Sequence, residues 1–111
     1  MRAGELDRQV EIQKRAQVQA PAGEVIDSWE PVQRLWASKR DMRASERWAA
    51  NQRVAELATV WFMRWFPGWE AIRADTHRLV YRDQVFEIHG VREIGRREGI
   101  EIATVARAEG A

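Results

Sequence analysis

The chain contains no cysteine, which excludes a disulfide framework and any metal site built on thiolates. It has two histidines, His77 and His89, each in a strand-like context, so a histidine-based metal or catalytic centre has little to draw on. HExxH, CxxC, GxSxG and phosphate-cradling glycine patterns are all missing. Glu46 and Glu56 lie ten residues apart, a poor spacing for a general acid/base pair on one helix. No catalytic residue, metal ligand or cofactor is therefore expected. Long apolar runs are missing too: none approaches the roughly 20 residues of a membrane helix. The opening MRAGELDRQVEIQ is polar and alternating, unlike a signal peptide, so the expected chain is soluble and made in the cytoplasm. Neither sign of charge dominates, with 18 Lys+Arg against 17 Asp+Glu. The isoelectric point of 8.3 lies below the value of about 9 that marks dedicated nucleic-acid binders.

What is present fits one small domain over residues 1–111. RQVEIQKR alternates, Val10 and Ile12 against Glu11 and Gln13, and so predicts a half-buried strand. AQVQAPAGEVIDS, broken by Pro21 and Gly23, predicts a long turn. WEPVQRLWASKR predicts a second strand, with Pro31 at a sheet edge or at the strand's first residue, because proline cannot donate to a ladder. MRASERWAANQRVAE is rich in alanine and good helix formers. It predicts a short helix capped by Ser45, within an excursion over about residues 38–56. PGWEAIRAD predicts a short helical or irregular turn, and Arg82-Asp83-Gln84 a tight hairpin turn between Leu79/Tyr81 and Phe86/Ile88. Ile100, Ile102 and Thr104 mark a last strand. Six short strands, one short helix and regularly spaced turns point to a small mainly β barrel or sandwich.

The segment ATVWFMRWFPGW, residues 58–69, is almost wholly large and apolar. Thr59, Val60 and the aromatics favour a strand over about Leu57–Phe66, and Pro67-Gly68 would break a helix. Both faces of that strand are mostly apolar. Six tryptophans in 111 residues exceed what so small a core can enclose, and exposed ones favour aggregation. The surplus therefore points to oligomerisation, since aromatic anchors are typical of interface hot spots. Stacking of single-stranded bases between aromatics and arginines is the alternative use, which would make the domain a small oligonucleotide-binding β-barrel. Glu11, Glu87 and Glu101 on the strands weigh against it. Between Arg34 and Val54 six basic residues oppose Asp41 and Glu46, leaving +4 in one stretch. A solvated face is the plain reading of such a run.

GELDRQVEIQKR, GEVIDSWEPVQRLWA, ASERWAANQ, VWFMRW and HRLVYRDQVFEIHGV resemble, in this order, the head–tail joining proteins of tailed bacteriophages. Gly4, Leu6, Arg8, Val10, Ile12 and Gln13 match the family's opening element. Gly23, Trp29, Val32, Trp36 and Ala37 match its second, and Glu46, Gln52, Arg64, Arg78, Tyr81 and Ile88 the rest. Phe86 stands where tyrosine is commoner, and Leu79 follows Arg78 where isoleucine is usual. The resemblance implies a virion structural protein without catalysis: a stopper, or head-closure, protein of the neck of a phage or gene transfer agent. It implies a hexameric or dodecameric homo-oligomeric ring between a portal–adaptor protein and a tail terminator, with double-stranded DNA passing through and no membrane. It also implies a small β-barrel with a long excursion between its second and third strands. On that footing Trp65 and Trp69 are expected at or near the subunit interface. Lys39, Arg40, Arg43 and Arg47 are expected near the DNA channel, unless that basic stretch instead grips the adaptor.

Overall fold

The computed structural model describes residues 6–43 and 57–106. Six strands carry most of it: β1 (Arg8–Gln19), β2 (Val25–Arg43), β3 (Leu57–Arg64), β4 (His77–Tyr81), β5 (Gln84–Ile94) and β6 (Gly99–Ala106). A 3-10 turn at Trp69–Ala71 interrupts the chain between β3 and β4. All pairings are antiparallel, in the order β1-β2-β3-β6-β5-β4, and β4 pairs back to β1, so the sheet closes on itself as a barrel. Closing so few strands requires strong bending, which β-bulges supply. The register slips once between β1 and β2, where Val32 is the extra residue, and once between β5 and β6, where His89 is.

The interior follows from strand parity. Val10 and Ile12 of β1, Ala37 of β2, Trp61 and Met63 of β3, Leu79 of β4, Phe86 and Ile88 of β5, and Ile100 and Ile102 of β6 form one buried cluster. Trp61 lies at its centre, fully buried. The Phe86 ring meets it edge-on at 5.2 Å and the Tyr81 ring at 5.3 Å. Its indole N–H donates to Thr104 Oγ1 (3.0 Å), whose hydroxyl donates in turn to the Thr59 carbonyl (2.8 Å). A wholly buried donor thus finds its partner on the strand next to its own.

Several expectations need correction. The stretch expected as a long turn is mostly strand. β1 and β2 pair as far as Gln19↔Val25, and the turn is confined to Ala20–Glu24, with Gly23 at φ 93°. The apolar alternation fades there because both sides of this hairpin face water. Pro31 lies inside β2 rather than at its start, opposite Gln13 beside the bulge. It is nonetheless on an edge, since β3 pairs only with Ala37–Arg43. Residues 38–43, expected in the excursion, belong to β2, so the strands are not all short; the expected helix from Ser45 lies outside the described residues. Glu101, expected on a polar face, is buried and held by the Arg92 guanidinium.

The short helical turn after Pro67, the last strand and the β4–β5 hairpin are where the sequence puts them. That hairpin turns on Arg82 and Asp83 alone, both with positive φ (50° and 64°), as a two-residue turn matched to the strand twist requires. β3 ends at Arg64 rather than Phe66, and Ala58, Thr59, Val60, Trp61 and Met63 are all buried, so both faces of the strand are covered within one copy and neither is left for a neighbour.

Replacing Thr104 with valine keeps the shape but orphans the Trp61 N–H. Urea unfolding should show a loss of about 1–3 kcal/mol; an unchanged midpoint would mean that the indole finds another acceptor.

Candidate interaction surfaces

Antiparallel closure gives the barrel two dissimilar ends. The first collects the start of β1, the end of β2, the start of β3 and the β4–β5 turn. Here Arg8 donates from Nη1 to the Tyr81 hydroxyl (2.9 Å), and the Arg82 guanidinium lies 5.3 Å from the same ring's centroid. Asp41 accepts from Lys39 Nζ (3.2 Å) and from Thr59 Oγ1 (3.0 Å). Together these residues make a polar cover over the Tyr81–Trp61 stack.

Of the four basic residues expected at a DNA channel, Lys39 and Arg40 have described side chains. Lys39 pairs across to Trp61 and Arg40 to Val60, so the two point to opposite sides of β2. Lys39 is engaged by Asp41, while Arg40 is exposed. Arg43 ends β2, its side chain outside the described residues, as is the whole of Arg47.

The second end is aromatic. Gly68, at φ 92°, turns the chain into the 3-10 segment, and Phe66 and Ile72 are buried on either side of it. Trp65 and Trp69 are half-buried and pack against the core, with the Arg97 guanidinium 5.0 Å from the Trp65 ring centroid. Each keeps part of its surface open.

From this aromatic end the β1–β2 hairpin continues as an arm. β4 pairs with β1 only from Glu11 to Lys14, and Arg15 adds one bond from its N–H to the Thr76 carbonyl (2.7 Å). Beyond this point only β1 and β2 pair with each other. The arm makes the molecule long, 48 × 32 × 23 Å. Its root is braced by Arg78, whose guanidinium lies 4.2 Å from the Trp29 ring centroid and whose Nε donates to Gln13 Oε1 (2.7 Å). On the outer face of β2 near the root, Arg34 pairs with Glu11 (2.9 Å). Hydrogen bonding from Gln13, and then Arg34, holds the Glu11 carboxyl below its ordinary value.

The residue that sequence reasoning overlooked as a surface feature is Trp36, 54% exposed. The signal was present in Leu35 and Ala37, which flank it with opposite parity and turn inward. The Val32 bulge hides that alternation.

The model of a family described as phage head completion protein matches residues 1–107. No curated protein matches the sequence. Among solved structures, a protein of Shigella flexneri 2a determined in solution shares the fold, with a TM-score of 0.74, 24% identity, and 98% of this chain and 99% of that one covered. So does a chain from the virion of a native gene transfer agent particle, with a TM-score of 0.62, 21% identity, and 89% and 92% covered.

One titratable group at the aromatic end couples the fold to pH. His77 is buried, and its Nδ1 accepts from the Arg73 backbone N–H (3.2 Å) and lies 2.7 Å from Thr76 Oγ1. Burial first, and then the charge of Lys14, push its pKa below the ordinary 6.5, against smaller opposing effects of the Arg73 backbone and Asp75. The unfolded chain therefore takes up the proton first, and stability falls as pH drops below about 6.5. Chemical unfolding at pH 7 and pH 5 should show that fall, and His77→Gln should flatten it. An equally steep decline in the variant would assign the effect to the carboxylates instead.

Proposed function

Because the chain belongs to the phage head completion protein family, we propose that it is the head-closure, or stopper, component of the neck of a phage or phage-like particle. In this role it forms a sixfold or twelvefold ring between a portal–adaptor protein and a tail terminator, and holds packaged DNA in the head. The observation that carries the proposal is the extent of the family match, which runs through all six strands rather than one motif. The surface supports it. It offers exposed apolar area on the arm and half-open tryptophans at one end.

A ring built from head-to-tail contacts covers two different patches on each copy. Trp65 and Trp69 are proposed to contribute to one of them, with the uncovered edges of their rings against the neighbouring copy. The basic stretch of Lys39, Arg40, Arg43 and Arg47 is proposed to lie towards the DNA. Exposed Arg40 offers an exchangeable phosphate contact, and such contacts suit a conduit through which DNA must slide. Lys39, already paired with Asp41, contributes less.

Negative-stain images of the purified protein, or of the neck in intact particles, test the ring directly. Trp65→Ala with Trp69→Ala should weaken assembly about tenfold or more by analytical ultracentrifugation, and rings as tight as wild type would remove these residues from the interface. Reversing charge at Arg40 and Arg43 should lower DNA retention in filled particles. Short single-stranded oligonucleotides should quench tryptophan fluorescence little; strong quenching would favour an oligonucleotide-binding role.

A further inference from the structure

All five exposed large hydrophobic residues among those described lie on the β1–β2 hairpin, in two separate groups. Val18 (51%), Val25 (64%) and Ile26 (51%) surround its tip; Val32 (47%) lies at its root, and Trp36 (54%) farther along β2 on the outer wall of the barrel, opposite Gln9. At the tip, Val18 pairs with Ile26 and so shares a face with it, while Val25 points to the other. The tip is therefore apolar on both sides. At the root, Val32 is the bulge residue and Arg34 and Trp36 follow it on the outer face, away from Leu35 and Ala37. The stripe runs apolar, basic, apolar.

Charge divides β2 in the same way. From Glu24 to Val32 the chain carries Glu24, Asp27 and Glu30 and no base, a net −3; from Gln33 to Arg40 it carries Arg34, Lys39 and Arg40 and no acid, a net +3. On β1, Lys14 and Arg15 lie opposite Glu30 and Trp29, and Glu11 opposite Arg34. The hairpin beyond Arg15 therefore keeps Glu24 and Asp27, a net −2, and the outer stripe keeps Arg34 and Arg40 against Glu11, a net +1. Two copies meeting tip to tip would oppose like charges, and so, more weakly, would two meeting root to root. Tip on root opposes unlike ones. The Arg34 side chain is 66% exposed and engages Glu11 through one nitrogen, so its fork has donors left for a second carboxylate.

We propose that the arm is the connecting element of the ring: the acidic, apolar tip of one copy seats on the Val32–Arg34–Trp36 stripe of the next. The proposal rests on the ring reading above and names the surface through which neighbours recognise each other. Ile26 and Trp36 are ten residues apart, roughly 33 Å of strand at about 3.3 Å per residue. Used head to tail, a contact between two patches so far apart on one element propagates around an axis; exchanged reciprocally by two copies, it would close as a dimer.

The absence of cysteine makes a clean cross-linking test. Gln19 pairs with Val25 at the tip and Gln9 with Trp36 at the far end of the stripe, and both glutamines are exposed. In Gln9→Cys with Gln19→Cys, a short bismaleimide should give a ladder of covalent oligomers up to the ring size, while each single variant stays uncross-linked. Asp27→Arg should weaken assembly at least tenfold by sedimentation, and adding Arg34→Asp should restore most of it, with circular dichroism confirming the fold in each case. A dimer from Gln19→Cys alone would overturn the contact by showing tips that meet tips. A double variant that cross-links to dimers alone would overturn the ring contact. Rings that sediment normally without a ladder, or a cross-link from the tip to another neck protein in particles, would overturn the arm's role while leaving the ring standing. A chain that stays monomeric at every concentration and within particles would remove both.

Discussion

The structure depends on enclosing one indole. Six strands closed into a ring leave a narrow interior, and a side chain as large as Trp61 fills much of its width. A buried N–H without a partner costs about 1–3 kcal/mol, so the ring must also place an acceptor at the right height. Thr104, opposite Thr59 on the neighbouring strand, supplies it. That requirement ties the register of β3 against β6 to the position of the tryptophan: a one-residue slip would turn every inward side chain outward. Phe86 and Tyr81 then fix β5 and β4 against the same ring.

Once the interior is full, the remaining chemistry is sorted to the two ends and to the arm. The end bearing Tyr81 is closed by hydrogen bonds and ion pairs among Arg8, Lys39, Asp41 and Thr59; the other is closed by Phe66, Ile72, Trp65 and Trp69. One end is thus adapted to polar neighbours and the other to apolar ones.

Much of the fold was legible because the strands near the interior alternate in the ordinary way. The β4–β5 hairpin, with Leu79, Phe86 and Ile88 turned inward, and the last strand show this most clearly. The arm was not legible, since its residues meet water on both faces and carry no period-two apolar signal. The Val32 bulge also breaks the parity that would have marked Trp36 as exposed. For the tryptophans, sequence could count the surplus but not distribute it. Trp61 and Trp65 share parity and chemistry, and only the end of β3 at Arg64 decides that one is enclosed and the other half-open. The basic stretch showed the complementary failure. Its local excess of charge was visible, but the strand alternation that sends Lys39 and Arg40 to opposite sides was not.

Pro31 and the neighbouring bulge have a further consequence wherever many copies of the chain meet. The outer margin of β2 is otherwise a long run of backbone groups open to pairing with any passing strand, the usual beginning of a fibril. A residue with no N–H to give, set beside a kink, interrupts that run near its middle. Free copies can then crowd together without zipping backbone to backbone, and association is left to side chains, which can tell one neighbour from another.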